Sequence, residues 1–161
     1  MEYRGKVFKY GDNVNTDVII PARYLNDASA ENLRAHAMED IDPNFAANVK
    51  TGDVIVGGFN FGSGSSREHA PLAIKASGVR LVIAKSFARI FFRNAVNIGL
   101  RIVESAQMAD EISENDILSV DNDKIIDITT GKVYDLPPID DYVRNILECS
   151  GLMEAVKKNE G

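Results

Sequence analysis

Short apolar runs recur along this chain, and their spacing distinguishes strands from helices. Lys6 to Tyr10 (Lys-Val-Phe-Lys-Tyr) alternates, which predicts a strand closed by the turn Gly11-Asp12-Asn13. Val18-Ile19-Ile20 is a second apolar run, stopped by Pro21. Ser29 is placed to cap a helix over residues 30–38, with Glu31 in its first turn. Residues 40–50 contain Pro43 and little periodicity, so a connection with a short helical turn is expected there. Thr51-Gly52-Asp53 turns into Val54-Ile55-Val56, a continuous apolar run that reads as a buried strand. Ser77-Gly78 closes a helix, and Leu81 to Ala84 reads as another buried strand. Phe87, Ile90, Phe91, Ala95 and Ile98 recur at helical spacing, so a helix over 87–97 is expected, with Ser86 as its cap and Gly99 ending it.

Arg101 to Glu104 reads as a strand and Met108 to Ile112 as a short helix. Ile117 to Val120 and Lys124 to Ile128 follow as antiparallel strands, and Thr130-Gly131 turns into Lys132-Val133-Tyr134. Pro137-Pro138 opens a last amphipathic helix (Ile139, Tyr142, Val143, Ile146, Leu147) that Gly151 interrupts, before a polar tail over about 156–161. The order of elements predicts an α/β fold, a sheet flanked by helices and continued by a small β-meander. One compact domain is expected across 1–161.

Composition narrows the function classes. The chain has 161 residues, 45% of them hydrophobic and 26% charged, as in ordinary globular proteins. A net charge of −6 argues against a nucleic-acid-binding surface. No apolar run reaches membrane-spanning length, and the start (Met1-Glu2-Tyr3-Arg4-Gly5-Lys6) lacks the apolar core of a signal peptide, so a cytoplasmic protein is expected. The single cysteine, Cys149, excludes an internal disulfide framework. It also excludes a self-contained iron–sulfur site, which needs several thiolates.

The chemistry concentrates in Gly57-Gly58-Phe59-Asn60-Phe61-Gly62-Ser63-Gly64-Ser65-Ser66-Arg67-Glu68-His69-Ala70. A strand, a glycine-rich loop and a helix start make a generic anion site. Within it, one hydroxyl can serve as a base if amide hydrogens and positive charge stabilise its alkoxide. Arg67 offers the paired donors that suit a carboxylate. Ser65-Ser66-Arg67-Glu68 also fits a capping box, in which Ser65 and Glu68 cap a helix and Arg67 is solvated. Pro71 weighs against a helix running from Ser65 and favours a start near Ala70, with Pro71 in first position. A serine hydrolase built on Ser65 and His69 lacks the Gly-x-Ser-x-Gly elbow. Gly62-x-Gly64 lacks the third glycine of a dinucleotide fingerprint, and no phosphate-loop Gly-Lys-Ser/Thr is present. His69 is expected to be a structural hydrogen-bonding residue. Lys85, Arg89 and Arg93 are expected to form a solvated or subunit-facing stripe on one helical face.

Three blocks carry a family resemblance. Asn60 to Ala70 resembles the signature of the swivel domain of aconitase-type hydro-lyases. Lys85-Ser86-Phe87-Ala88-Arg89-Ile90-Phe91-Phe92-Arg93-Asn94 is similar to a second family block, and Asn15-Thr16-Asp17-Val18-Ile19-Ile20-Pro21-Ala22-Arg23-Tyr24-Leu25 to a third. The likeness runs from residue 5 to about 155. It implies a swivelling β/β/α domain that docks over a separate large subunit carrying a 4Fe–4S cluster, one iron of which acts as a Lewis acid on a small hydroxy-dicarboxylic acid. This chain would bind no cofactor itself. The resemblance further implies Ser65 as catalytic base, and Ser66 and Arg67 as oxyanion and substrate-carboxylate contacts. Thr16 and Asp17 would line the same pocket, and the loop from Arg23 through Tyr24, Leu25, Asn26, Asp27 and Ala28 would distinguish substrates. Many members of the family carry cysteine where this chain has Ser63. A stand-alone anion-binding or regulatory module is the alternative of a different class.

Overall fold

The computed structural model of the chain describes residues 3–27, 29–65, 68–121 and 123–136. Ala28, Ser66, Arg67 and the helix expected after Pro137 lie outside them. Seven strands form one sheet in the order β4-β3-β2-β1-β5-β6-β7. Its central strand, β1 (Tyr3–Lys9), joins two halves. Its later residues pair in parallel with β2 (Val54–Gly57), Val7 opposite Val54. Its earlier residues pair antiparallel with β5 (Ile117–Val120), Lys6 opposite Ile117. Parallel pairing continues through β3 (Leu81–Ala84) to β4 (Arg101–Glu104). Antiparallel pairing continues through β6 (Lys124–Asp127) to β7 (Val133–Asp135). The expected sheet and meander are thus one sheet.

The continuous apolar runs of β2 and β3 have a physical reason. Successive side chains point to opposite faces, and both faces are covered. Ile55, Val82 and Ala84 enter a core packed by the helices, where Ile19, Leu33, Phe45, Ala73, Ile74 and Phe91 meet them. Val54, Val56, Leu81 and Ile83 enter a second core with Met108 and Ile112 near one end and Leu118, Val120 and Ile125 of the meander. Burying each large aliphatic side chain contributes about 1.5–3 kcal/mol.

The helices are short. Helix α1 (Thr16–Ile19) takes up most of the Val18-Ile19-Ile20 run, capped by Asn15, whose side chain accepts from the Val18 amide at 2.9 Å. Helix α2 (Ala30–His36) has the expected Ser29 cap and ends two residues before the buried Met38, whose φ of 60° cannot continue it. Helix α3 (Phe45–Asn48) is the expected turn before β2. Helix α4 (His69–Ala76) puts Pro71 in third rather than first position, where the missing N–H would have had no intrahelical acceptor anyway. Helix α5 (Arg89–Asn97) starts two residues later than its spacing predicts, and α6 (Ala106–Glu111) is capped by Ser105. Ser86 does not cap α5: its Oγ accepts from the Asn60 amide at 2.8 Å, and Ala88 occupies the cap position. Among the described residues no helix is long and apolar enough to cross a membrane.

One buried acid makes stability depend on pH. Asp127 is fully buried, and one carboxyl oxygen accepts from the amides of Thr129 and Thr130 at 3.1 and 3.2 Å. The other finds no donor among the described residues. Burial, and next the neighbouring Asp116 carboxyl, raise the Asp127 pKa. Asp116 in turn accepts from the Ser113 amide at 2.9 Å. Nearby, burial and Glu111 push the Tyr134 hydroxyl up to about 12. Because Asp127 titrates higher in the folded chain than the usual carboxylate value of about 3.9, its contribution is complete below that value. It is lost as pH rises through the folded value. Asp127→Asn removes the buried ionisable group and is expected to be more stable than the parent by about 1 kcal/mol at neutral pH. The gap should close toward acid. Urea unfolding midpoints across that pH range check this, and a variant weaker than the parent at neutral pH would exclude the raised Asp127 pKa.

Candidate active site

The glycine-rich loop after β2 is stitched to two other segments. On one side, the Gly62 amide donates to the Val14 carbonyl at 2.7 Å, and the Thr16 amide donates to the Ser63 carbonyl at 2.8 Å. On the other, Phe61 forms a parallel bridge with Phe87, and the Ala88 amide donates to the Phe61 carbonyl at 2.9 Å. Phe61 is fully buried, with the rings of Phe87 and Phe91 edge-on at 5.8 and 5.4 Å. Gly62 is required at its position: its φ is +82°, and a Cβ there would lie 2.2 Å from Phe91.

These contacts bring residues from three parts of the chain around one open cavity of about 260 Å³. Thr16 from α1 and the exposed Ser65 from the loop supply hydroxyls 3.2 Å apart. Ala88, Arg89, Ile90 and Phe91 line the opposite wall, with Asn94 one turn on. They are the cap and first turn of α5, whose first three amides have no intrahelical acceptor. The helix start beside Ser65 is therefore that of α5 as well as α4. The capping box is not made, because Ser65 bonds Thr16 and Glu68 makes no side-chain cap hydrogen bond.

The other expected site residues are distributed differently. Asp17 is exposed on α1 and is not among the lining residues. Arg23, expected to contact substrate, pairs on the surface with Glu39 at 3.1 Å and Asp40 at 2.7 Å, which raises its pKa. Tyr24 stacks on His36 with ring centroids 3.7 Å apart and donates its hydroxyl to Glu39 at 2.5 Å. Tyr24, then His36 and Arg23, hold the Glu39 carboxyl below the usual range. Leu25 packs against the core, while Asn26 and Asp27 are exposed. The Asn32 amide donates to the carbonyls of Tyr24 and Asp27 at 2.9 and 2.6 Å, so this loop is anchored from α2. Ser66, Arg67 and Ala28 lie outside the described residues.

Arg89 and Asn94 were not singled out as site residues by sequence reasoning, although both lie in the second family block. Helical spacing had suggested that Arg89 belongs to a surface stripe with Lys85 and Arg93. Lys85 instead precedes α5, pairs with Asp110 at 2.8 Å and lies 5.2 Å over the Phe59 ring. The Phe61–Phe87 bridge, between residues far apart in the chain, helps bring Arg89 and Ser65 to one cavity.

Comparison with known proteins adds to this geometry. Residues 30–108 match the Aconitase C-terminal domain family. The chain is 54% identical over 163 residues to the 3-isopropylmalate dehydratase small subunit of Brachyspira hyodysenteriae, covering 100% of both chains. It is 55% identical to that of Halothermothrix orenii, over 98% of this chain and 96% of the relative. A crystal structure of 3-isopropylmalate dehydratase from Methanocaldococcus jannaschii matches with a TM-score of 0.89 at 44% identity, covering 99% of this chain and 96% of that one.

Proposed function

Because this chain belongs to the family of 3-isopropylmalate dehydratase small subunits, we propose that it interconverts 2-isopropylmalate and 3-isopropylmalate in leucine biosynthesis as one half of a hydro-lyase. The observation that carries its part in the chemistry is Ser65, a hydroxyl open to a cavity sized for a small diacid. The residues lining that cavity (glycines, Thr16, Ser65, Ala88, Arg89, Ile90, Phe91 and Asn94) carry no thiol, imidazole or carboxylate and are poor ligands for iron. We therefore place the 4Fe–4S cluster on a large subunit, where it supplies the Lewis acid for the substrate hydroxyl. Cytoplasmic action accompanies the biosynthetic role.

Dehydration requires removing a weakly acidic proton beside a carboxylate. The Ser65 alkoxide takes that proton; the C–H electron pair becomes the double bond as hydroxide leaves from the neighbouring carbon. Returning water with the positions exchanged completes the isomerisation. Ser66 and Arg67, adjacent in sequence, supply the oxyanion and carboxylate contacts. The anchored loop over 23–28 shapes the end that receives the substrate's side chain. Arg23 contacts the substrate from that loop, paired with Glu39 and Asp40, and Asp17 supports the pocket from α1.

Reconstitution with a cluster-bearing large subunit, assayed against a panel of malate derivatives, tests the reading. Turnover should be fastest on 2-isopropylmalate. Faster turnover of citramalate, 2,3-dimethylmalate or homoaconitate would reassign the substrate, and tight binding of a nucleotide or hydroxy-diacid by the isolated chain would favour a stand-alone module. Arg67→Lys replaces a fork with a point charge and is expected to raise KM about tenfold, with a smaller change in kcat. Unchanged kinetics would remove Arg67 from the carboxylate site.

A further inference from the structure

We propose that Thr16 is a positioning residue for the base: its hydroxyl donates a hydrogen bond that orients the Ser65 oxygen and stabilises its deprotonated form. The inference rests on Ser65 being the base. Thr16 is 2% exposed, and its Oγ1 lies 3.2 Å from Ser65 Oγ.

The surroundings hold the Thr16 hydroxyl in place. Thr16 begins α1, whose Asn15 cap and buried Ile19 fix the helix against the core. Its own amide donates to Ser63, two residues before Ser65. On the other flank, a Cβ at Gly64 would stand only 3.2 Å from the same Oγ1, so the loop passes close over the hydroxyl. Threonine's branched Cβ restricts χ1 further.

Proton accounting sets the direction of the bond. With both hydroxyls neutral, either can donate. Once Ser65 has lost its proton it can only accept, and Thr16 becomes the donor without giving up its own proton. A hydrogen bond to a charged acceptor is stronger than one between neutral groups. The contact therefore favours the alkoxide over the hydroxyl and lowers the pKa at which Ser65 becomes a base.

Thr16→Val keeps the shape and removes the donor. In the reconstituted enzyme it is expected to lower kcat roughly tenfold to a hundredfold with little change in KM, and to move the acidic limb of the kcat/KM profile up by about one pH unit. Thr16→Ser should restore most of the rate and the original limb. Thermal unfolding and assembly of all variants are measured alongside, and Thr16→Ala replaces valine if that variant does not assemble. A raised KM with an unmoved limb would make Thr16 a substrate contact, and failure of serine to rescue would make its role one of shape; either overturns the proposal. Ser65→Ala separates the premises. If it stays active, the base assignment fails first. If it is inactive while Thr16→Val matches the parent, only the Thr16 role fails.

Discussion

Replacing Ser65 with alanine is expected to lower turnover of the reconstituted enzyme about a thousandfold or more, while assembly with the large subunit and thermal stability stay close to those of the parent. The size follows from what is removed. A positioned base contributes about two to four orders of magnitude to proton transfer, and the other hydroxyl lining the cavity among the described residues, Thr16, is 2% exposed. The small stability change follows from the same geometry. Ser65 is exposed and, among the described residues, its hydroxyl bonds only Thr16, at 3.2 Å, and surface changes of this kind stay within about 0.5 kcal/mol. Steady-state rates on 2-isopropylmalate, with assembly followed by gel filtration, check both halves. Turnover near that of the parent would remove Ser65 from the mechanism.

The largest expected effect on stability lies at the junction of the two half-sheets. A Cβ added at Gly5 would sit 1.9 Å from the Gly52 carbonyl oxygen and 2.7 Å from the Asp53 Cα, and both are backbone. That turn is held from several sides. The Gly52 amide donates to Gly78 at 2.9 Å, and the buried Asp53 carboxylate accepts from the amides of Lys6 and Lys50 at 2.9 and 2.8 Å. Relief would require β1 to leave the turn, breaking the Lys6 contact and straining the Val7–Val54 register beside it. Gly5→Ala is therefore expected to cost about 3 kcal/mol or more. Gly11→Ala is the control: nothing lies within 4 Å of its Cβ position, and a change under about 0.5 kcal/mol is expected. Urea denaturation of both measures the difference. A Gly5→Ala variant within 1 kcal/mol of the parent, a bound of the order of an ordinary substitution, would mean that the turn yields.

Much of the site was legible because its residues are neighbours in sequence. The loop from Gly57 to Ala70 carries the hydroxyls and the guanidinium in one stretch, and the blocks around Thr16 and Arg89 announce themselves as family signatures. The ion pairs of Arg23 were not legible. Its acidic partners, Glu39 and Asp40, lie on a turn beyond α2, and no local pattern connects them. Ser86 misled for a related reason. It has the chemistry of a cap, but the Asn60 amide, brought up by the Phe61–Phe87 bridge, takes its oxygen.

Local periodicity and turn chemistry were sufficient for the strands β2 and β3, the Ser29 cap and the glycine-rich loop, because each depends on side chains within a few residues of one another. The sequence by itself also determined the family, since motif order needs no coordinates. Only the tertiary structure decided that the meander continues the main sheet through β1, that α5 lines the Ser65 cavity, and that the Ser65 hydroxyl meets Thr16. Those outcomes depend on contacts between distant segments, and their geometry is set by how two cores pack against opposite faces of one sheet.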